Sequence, residues 1–533
     1  MPRLLQHWVS EQAQHQPEAT AVVRNDRRLT YAGIEMLSNR LARALLACGL
    51  RRGERVCLLM PKTPLAIACL LAIYKAGGIY VPLDPMSPVQ RLSRIVNSCD
   101  SRWLLAAGKV QATLQALVWR TDARRTWAIG WLDELQDSGG IPATFTLADV
   151  LTCAATAPPV SGRERDVAHI LFTSGSTGTP KGVAITHANV IAFVEWARDY
   201  FGLRTDDRLS AHSPLHFDLS VFDIFGAFSA GAELHIVPAE SGVMPNELVE
   251  WMRRSRLTQW FSVPSALNYL AKFKALKLGD FPELRRVLWC GEVLSTPTLI
   301  YWMQRVPQAR FTNLYGPTET TIASSYYTLE SCPGDPLTPI PIGRACRGEA
   351  LHVVDEHLQA VKPGETGELY ISGAGLSPGY WNDPAETAKA FVTSPDGKAR
   401  WYRTGDLARI GADGLVYFVG RQDTQIKSRG YRIELGEVEA ALSTLTRLRE
   451  SVVIALPSGD FDGTAICCAY VAGDGRGASP ADLRRDLRRL LPEYMIPSQW
   501  KAFETLPKNA AGKIDRRRIR ETWWWYGPSA SGC

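Results

Sequence analysis

The sequence lacks the features that would place this protein in a membrane, outside the cell or on a nucleic acid. Its longest apolar run, from Pro64 to Tyr74, is too short to cross a bilayer, and Met1 to Gln16 has no apolar signal core. Eleven cysteines occur without metal-type spacing, which indicates reduced and mostly buried thiols. The net charge of +6 comes without a clustered basic stripe. We therefore expect a cytoplasmic protein with no membrane span and no nucleic-acid partner.

A chain of 533 residues exceeds what one hydrophobic core usually holds, which predicts at least two domains. Short apolar runs such as Val56–Met60 and His169–Phe172 alternate with amphipathic helical patterns such as the one that begins at Pro64. This alternation predicts an α/β protein whose parallel sheets are covered by helices. A turn at Gly411–Gly414 precedes a polar segment, Arg421–Gly430, that is typical of a hinge, and a second compact unit follows.

The run from Leu171 to Val183 is the most informative stretch of the chain. After two apolar residues that end a predicted strand, hydroxyl side chains alternate with glycines, and Lys181 follows. Glycines let successive backbone N–H groups turn inward as an anion nest, and a lysine adds a compact positive charge suited to phosphate. A P-loop is excluded, because Pro180 precedes Lys181 and Gly182 follows it. A flexible surface loop is the alternative interpretation.

The same run resembles the phosphate loop of the adenylate-forming superfamily, which contains acyl-CoA synthetases, luciferases and the adenylation domains of nonribosomal peptide synthetases. Segments similar to the other motifs of that family follow in order: Leu29–Tyr31, Lys75–Pro85, Asn313–Thr321, Gly367–Tyr370, Tyr402–Leu407, Gly420–Glu439 and Pro507–Asp515. Because they extend over nearly the whole chain, the sequence is identified as a member of this superfamily.

The resemblance implies the adenylate-forming enzyme fold, which belongs to the α/β class. A large N-terminal domain of parallel-rich sheets flanked by helices, with a small β-barrel-like part, is expected over residues 1–420. A small mobile α+β domain is expected over 421–517, a Trp-rich tail over 518–533 and the hinge at Asp423. Because no carrier-protein or condensation segment follows Asp515, we expect a free-standing enzyme.

The resemblance also implies ATP and Mg²⁺, with Lys513, Lys181 and Glu319 as catalytic residues and Glu319 as the metal ligand. Lys513 would stabilise the pentacoordinate transition state of adenylation. The small domain would then rotate and present its face near Lys427 and Gly430 to an incoming thiol. The implied ATP-binding residues are Thr173, Ser174, Gly175, Ser176, Thr177, Gly178, Lys181, Asn313, Tyr315, Gly316, Thr318, Asp406, Arg421 and Lys513.

The segment Phe217–Phe222 indicates an amino acid as substrate. Asp218 matches the aspartate that amino-acid-activating members of the family pair with the substrate ammonium group. Burying an unpaired carboxylate costs free energy, and a substrate that brings its own cation would offset this cost. A structural aspartate is the alternative. The other residues implied to bind the substrate are Leu219, Phe222, Phe261, Leu288, Cys290, Leu314, Ile322 and Ala323.

An apolar lining predicts an apolar substrate side chain, because a polar one would lose its water without replacement. Two phenylalanines and three leucines leave little volume, which argues against tryptophan or tyrosine. The lining is similar to that of the free-standing prolyl-AMP ligases, although it departs at Phe222, Phe261, Cys290, Ile322 and Ala323. We expect L-proline first, with alanine, valine, another small aliphatic amino acid or a β-amino acid as alternatives.

We expect transfer of the amino acid to the phosphopantetheine thiol of a separate carrier protein in secondary-metabolite biosynthesis. An acyl-CoA synthetase that uses free coenzyme A is one alternative, and Asp218 with the short apolar pocket argues against it. A non-enzymatic relative that only binds a nucleotide is another. It would be expected to have lost Lys181, Glu319, Asp406 or Lys513, and all four are present.

Overall fold

The computed structural model describes residues 3–120, 125–133, 138–159, 162–175, 179–238, 244–458, 464–473, 478–508 and 514–524. Its helices are α1 (His7–His15), α2 (Tyr31–Ala47), α3 (Pro64–Lys75), α4 (Val89–Ser98), α5 (Gln111–Arg120), α6 (Leu147–Thr152), α7 (His187–Phe201), α8 (Leu219–Ala230), α9 (Pro245–Ser255), α10 (Pro264–Lys272), α11 (Thr296–Arg305), α12 (Pro384–Ala390), α13 (Leu435–Ser443), α14 (Pro480–Leu487) and α15 (Arg516–Trp524).

The strands of the first 350 residues or so are β1 (Thr20–Arg24), β2 (Arg27–Thr30), β3 (Arg55–Leu59), β4 (Ile79–Pro82), β5 (Trp103–Ala106), β6 (Ala128–Trp131), β7 (Phe145–Thr146), β8 (Val167–Thr173), β9 (Lys181–Thr186), β10 (Arg208–Ala211), β11 (Glu233–Ile236), β12 (Gln259–Ser262), β13 (Arg286–Cys290), β14 (Arg310–Tyr315), β15 (Ser325–Thr328), β16 (Arg344–Ala345) and β17 (Glu349–Val354). Those that follow are β18 (Thr366–Gly373), β19 (Gly379–Tyr380), β20 (Phe391–Thr393), β21 (Arg400–Ile410), β22 (Val416–Arg421), β23 (Gln425–Ser428), β24 (Tyr431–Glu434), β25 (Leu448–Pro457), β26 (Thr464–Ala472) and β27 (Gln499–Ala502).

Two large sheets dominate the first part of the chain. One has eight strands in the order β19-β9-β8-β4-β3-β5-β6-β7, and the other has nine in the order β16-β15-β14-β13-β12-β10-β11-β1-β2. The centre of each sheet is parallel, while the β8–β9 pair and the β14–β15 pair are antiparallel. The predicted parallel-rich sheets are therefore confirmed, with antiparallel strands added at their edges.

Helices α3 and α8 lie between these two sheets. Ten of the twelve residues of α3 and eleven of the twelve of α8 are buried, and one apolar cluster joins both helices to inward-facing residues of both sheets. Separate clusters cover the outer face of each sheet with other helices. The Thr63 side chain accepts a hydrogen bond from the Ala66 N–H and Pro64 takes the first helical position, which explains where α3 begins.

The rest of the chain forms smaller sheets. Strands β17, β18, β20, β21 and β22 make a five-stranded antiparallel sheet, with the predicted turn at Gly411–Gly414 between β21 and β22. The hairpin β23–β24 then leads into a three-stranded sheet, β25-β26-β27, that packs with α13 and α14 around its own core. The predicted fold class is thereby confirmed, while the domain limits at residues 420 and 517 stay predictions.

Candidate functional site

A cavity of about 100 Å³ lies where the two large sheets meet the hairpin β23–β24. The ends of β8, β13 and β14 and the turn before α8 form its walls, together with Asp406 of β21 and Arg421 of β22. The hairpin covers it with Lys427, Gly430 and Arg432. Open α/β sheets bind ligands at the carboxyl ends of their strands, so the cavity occupies the expected place for a site.

The glycine-rich run forms the connection between β8 and β9. Thr173 and Ser174 line the cavity, while Ser176, Thr177 and Gly178 lie outside the described residues. Gly175 is required by space, because a Cβ atom there would lie 2.1 Å from the carbonyl oxygen of Thr179. The Ser174 hydroxyl donates a hydrogen bond of 2.6 Å to the carbonyl of Arg432 in the hairpin.

Lys181 begins β9 directly opposite Thr173 in the hairpin register. Its ammonium group donates to the Glu386 carboxylate of α12 at 2.6 Å, and Lys389 approaches the other oxygen of the same carboxylate at 2.6 Å. Hydrogen bonds from these two lysines hold the pKa of Glu386 below its usual range. The structure therefore places the lysine beside the loop as predicted, with its charge balanced by a protein carboxylate.

Glu319 lies in a 3₁₀ turn, Thr318–Thr320, that follows β14, and it is buried. The Tyr380 hydroxyl donates to its Oε1 at 2.8 Å, and Arg432 donates to Oε1 and Oε2 at 2.9 and 2.8 Å. Burial by itself would raise the pKa of Glu319, but the Arg432 charge and hydrogen bonds that include the one from Tyr380 together outweigh burial, so the pKa is lowered.

The donor set around Glu319 is compatible with Mg²⁺ under one condition. Among the described residues there is no group of three His, Cys, Asp or Glu side chains that could hold a metal by itself. Mg²⁺ commonly uses one or two carboxylates and takes its other ligands from water and substrate phosphates, so a lone glutamate fits it. The condition is that Arg432 must first leave the carboxylate.

Tyr315, Asp406 and Arg421 form a hydrogen-bonded group at one end of the cavity. The Tyr315 hydroxyl and the Arg421 guanidinium donate to the two oxygens of Asp406. Arg421 also holds Asp423, the predicted hinge residue, through two hydrogen bonds of 2.8 Å. Lys427 lies 5.6 Å from the centre of the Tyr315 ring, within the range of a cation–π contact.

The remaining predicted nucleotide residues lie next to this group. Gly316 and Thr318 line the cavity. Asn313 is buried in β14, where its amide donates to the carbonyl of Pro341 at 2.8 Å. Lys513 lies outside the described residues; the residues on either side of that gap, Lys508 and Ile514, pair with each other and do not line the cavity.

Asp218 immediately precedes α8 and points at the cavity. Its side chain is partly buried, since the cavity reaches it, and the surrounding protein raises its pKa to about 6 by excluding water. A hydrogen bond from the Thr318 hydroxyl and the charge of Lys427 oppose this rise. The carboxylate is therefore electrostatically strained until a closer cation binds it.

The predicted apolar substrate residues come together beneath Asp218. Residue pairing places Phe261 beside Leu288 and Cys290 beside Leu314 in β12, β13 and β14. Leu219 and Cys290 line the cavity. The other six are fully buried below it: Phe222, Phe261, Leu288, Leu314, Ile322 and Ala323.

Two aromatic rings close this apolar region. Phe222 and Phe261 meet edge to face with ring centres 5.6 Å apart, and Phe222 also contacts Phe193 at 5.4 Å. Cys290 lies among them as a small apolar group, and burial raises the pKa of its thiol to about 12. The part of the subsite that is open in this structure therefore ends at Leu219 and Cys290.

Several residues that shape the site were not predicted from the sequence. Arg432 belongs to the quoted segment Gly420–Glu439 and had no role, and Tyr380 and Glu386 lie outside every quoted motif. The buried ion pair between Arg91 and Glu437, which joins α4 to α13, was also missed. No local signal identifies these partners, because each contact joins elements far apart in the chain.

None of the helices in the described ranges is both long and apolar enough to traverse a lipid bilayer.

Comparison with known sequences identifies the family of this chain. The sequence profile of AMP-binding enzymes matches residues 9–381, and that of the AMP-binding enzyme C-terminal domain matches residues 437–513. The chain is 37% identical over 511 residues to part of a linear gramicidin synthase from Brevibacillus parabrevis. That match covers 96% of this chain and 6% of the relative, so the chain spans a small part of this curated protein.

Solved structures with the same fold match over almost the whole chain. The adenylation domain AlmE of Vibrio cholerae, in complex with glycyl-adenosine-5'-phosphate, superposes with a TM-score of 0.85 at 26% identity and covers 98% of both chains. The amide bond synthetase McbA of Marinactinospora thermotolerans superposes with a TM-score of 0.86 at 26% identity, covering 98% of this chain and 100% of that one. The profile that matches more than half of the sequence shows that this chain belongs to the AMP-binding enzymes, and the chain is similar to part of a nonribosomal peptide synthetase and to a solved adenylation domain.

Proposed function

We propose that this chain uses Mg²⁺·ATP to convert a small apolar amino acid, L-proline first, into its aminoacyl-AMP. It then transfers the aminoacyl group to the phosphopantetheine thiol of a carrier protein in trans. The observation that carries the proposal is Asp218, a carboxylate with a raised pKa at the mouth of a short apolar subsite. Such a group gains most from a ligand that brings its own ammonium charge.

The residues on the cavity wall account for the first half-reaction. Asp218 would bind the substrate ammonium group and so turn the carboxylate toward the nucleotide. That carboxylate attacks the α-phosphorus of ATP and pyrophosphate leaves. Two anions approach each other in this step, and Lys181, beside the phosphate loop, would reduce their repulsion. Glu319 would hold the metal, whose chemistry is to neutralise phosphate charge.

The covering hairpin is consistent with the second half-reaction. Lys427 and Gly430, which were predicted to face an incoming thiol, lie at the cavity in this arrangement. Lys513 would act in the first half-reaction and lies outside the described residues, so its delivery is part of the proposal. A rotation at Asp423, which Arg421 holds by two hydrogen bonds, would exchange the two faces.

The short subsite supports a small substrate. Its open part ends at Leu219 and Cys290, and the rings of Phe222 and Phe261 close the region below. Proline, alanine, valine and small β-amino acids are the candidates that need the least extra space. The glycyl adenylate bound by AlmE is an example of a small aminoacyl group on a chain of this fold.

The proposal is tested by amino-acid-dependent pyrophosphate exchange with the purified protein. The panel contains the proteinogenic amino acids, several β-amino acids and a set of fatty and aryl acids. We expect the strongest signal with proline, and its loss in both Asp218→Ala and Lys513→Ala. Matched controls are Asp413→Ala, an exposed aspartate in the turn between β21 and β22, and Lys508→Ala, a lysine five residues before Lys513; both should retain the signal.

The acceptor is tested separately, with a phosphopantetheinylated carrier protein, free coenzyme A and a simple amine. Transfer to the carrier protein supports the proposal. Exchange that occurs only with fatty or aryl acids, followed by transfer to coenzyme A, would overturn the amino-acid assignment. Transfer to the amine alone would keep adenylation and overturn the carrier assignment.

A further inference from the structure

Arg432 joins the covering hairpin to the predicted metal ligand. The residue lies in β24, and its guanidinium donates to both oxygens of Glu319 at 2.9 and 2.8 Å. The Glu319 side chain is 1% exposed and that of Arg432 is 20% exposed, so the carboxylate is shielded from water and the pair is only weakly screened by salt. Both contacts come from one nitrogen, Nη1, which lies between the two carboxylate oxygens, and hydrogen bonds between charged groups are stronger than those between neutral ones.

The backbone of Arg432 makes a second contact with the phosphate site. Its carbonyl accepts a 2.6 Å hydrogen bond from the Ser174 hydroxyl in the glycine-rich loop. Arg432 therefore joins the hairpin to two groups of the proposed metal–triphosphate position. Its guanidinium bonds to the Glu319 carboxylate, and its backbone carbonyl accepts a hydrogen bond from the Ser174 hydroxyl.

Lys181, the predicted phosphate-binding cation, is also paired with a protein group. Lys181 is bonded to Glu386 at 2.6 Å, and it also lies 5.5 Å from the ring centre of Tyr380. The Tyr380 hydroxyl in turn donates to Glu319 at 2.8 Å. Lys181, Tyr380, Glu319 and Arg432 thus form a continuous chain in which protein partners satisfy the groups that we assign to Mg²⁺·ATP.

We propose that Arg432 is a positioning residue that takes the place of Mg²⁺ on Glu319 when the small domain docks with the face that carries the hairpin β23–β24 over the cavity. Docking by this face and binding of Mg²⁺·ATP then exclude each other. Both cations would bind the same Glu319 carboxylate, and two positive charges held so close together repel each other. This inference rests on the proposed function, since it takes Glu319 as the metal ligand.

The exclusion sets the order of the two half-reactions. Because binding linkage is reciprocal, Mg²⁺·ATP must weaken docking by the same factor by which docking weakens Mg²⁺·ATP. The face that carries Lys427 and Gly430 can return only after the metal and pyrophosphate have left Glu319. Arg432 thereby prevents the thiol-binding arrangement from forming over an unreacted nucleotide.

The first test is calorimetric titration of the full-length protein with Mg²⁺·ATP in the absence of amino acid. Arg432→Met should bind Mg²⁺·ATP about tenfold more tightly than the wild type, within the 5–150-fold range typical of such coupling. Titration with ATP in EDTA should show a smaller difference, because the competition is with the metal. Arg432→Lys keeps the charge on a shorter side chain, and its affinity for Mg²⁺·ATP should lie between those of the wild type and Arg432→Met.

The matched control is Arg516→Met, which removes an arginine bonded to Glu439 at 2.8 and 2.9 Å within the small domain. It should bind Mg²⁺·ATP as the wild type does. If Arg432→Met binds Mg²⁺·ATP no more tightly than this control, or more weakly, the exclusion is wrong and Arg432 has another role.

The second test follows docking without any turnover. The Gly430 amide donates to Glu292 at 2.8 Å across the interface, so its hydrogen exchange reports the docked arrangement. Mg²⁺·ATP should speed exchange of the peptide containing Gly430 at least tenfold in the wild type, and ATP in EDTA should not. Unchanged exchange would overturn the inference.

These tests also separate the inference from the proposed function. If Arg432→Met binds Mg²⁺·ATP more tightly and no amino acid supports pyrophosphate exchange, the mutual exclusion of docking and Mg²⁺·ATP is supported and amino-acid activation is refuted. If an amino acid supports pyrophosphate exchange but Arg432→Met binds Mg²⁺·ATP as the wild type does, amino-acid activation is supported and the mutual exclusion is refuted.

Discussion

Replacing Asp218 by asparagine should make the protein more stable and at the same time inactive toward amino acids. The carboxylate lies at the cavity and burial raises its pKa to about 6. Its charge therefore costs free energy in the absence of substrate. Asparagine has nearly the same shape and carries no charge, so it removes this cost together with the partner of the substrate ammonium group.

The size of the effect follows from the pKa. A carboxyl group that titrates near 6 in the folded protein and near 3.8 in the unfolded chain destabilises the folded state by at most about 3 kcal/mol once it is ionised. The folded protein holds this proton more tightly than the unfolded chain does. The penalty is therefore absent below about pH 4, grows between pH 4 and pH 6, and is constant above pH 6.

The assay is urea-induced unfolding of wild type and Asp218→Asn between pH 4.5 and pH 8. The free energy of unfolding of the variant should exceed that of the wild type by a margin that widens up to about pH 6 and then stays level. A control is Asp413→Asn, because hydrogen bonds from Tyr417 and the Leu415 amide lower the pKa of Asp413. Its substitution should destabilise the protein at neutral pH.

A margin between Asp218→Asn and wild type that does not depend on pH would refute this reasoning, since it would show that Asp218 is not buried as a strained carboxylate. Amino-acid-dependent pyrophosphate exchange by the variant should fall at least 100-fold, because loss of one partner of a buried ion pair costs about 3–5 kcal/mol. In the wild type, kcat/KM for the amino acid should decline as the pH falls below 6.

Phe222→Ala should lower the free energy of unfolding by about 3–5 kcal/mol and extend pyrophosphate exchange to leucine or phenylalanine. An unchanged substrate panel would show that this ring does not limit the subsite. Lys181→Met should raise the KM for ATP by about 10- to 100-fold through loss of a charged hydrogen bond, whereas Lys389→Met, the neighbouring lysine on Glu386, should leave that KM unchanged. Arg91→Met should leave Glu437 unpaired in the docked arrangement and slow thiol transfer, with pyrophosphate exchange retained. Equal loss of both half-reactions would contradict this account of Arg91.

The elements that local chemistry specifies were predicted from the sequence. A helix beginning at Pro64 was predicted, and its start is explained by the N1 proline and the Thr63 cap; the predicted amphipathic character was wrong, because both large sheets pack against the helix and ten of its twelve residues are buried. The β8–β9 connection follows from glycines and hydroxyls after a buried strand, and Gly175 has no room for a side chain. In each case the residues that determine the structure are within a few positions of each other.

The contacts that close the site could not be predicted in this way. Arg432 and Glu319 are 113 residues apart, and Arg91 and Glu437 are 346 residues apart. Neither pair lies in a shared helix or sheet register, so no period in the sequence relates its members. These contacts depend on how one folded unit rests on another, and residue patterns carry little information about that placement.

The substrate residues show an intermediate case. The resemblance assigned Phe261, Leu288 and Leu314 to one subsite, and the structure places them on neighbouring strands of one parallel sheet; their role stays a prediction. The resemblance did not indicate how deep they lie. Whether a buried ring lines an open subsite or seals it depends on packing with more distant residues, such as the contact between Phe222 and Phe193.

In the docked arrangement, the charged residues assigned to Mg²⁺·ATP are paired with protein groups of opposite charge, whereas the carboxylate assigned to the substrate ammonium group is not. Glu319 and Lys181, assigned to the metal and the phosphates, are each paired with an oppositely charged protein group. Asp218 receives a hydroxyl hydrogen bond and the more distant charge of Lys427, and its pKa stays raised. Binding of an ammonium group to Asp218 therefore requires no protein ion pair to break, whereas binding of Mg²⁺·ATP requires at least the Arg432–Glu319 pair to separate. The competition that we propose between docking and nucleotide binding therefore acts on the nucleotide side of the cavity, where the hairpin and the phosphate loop meet.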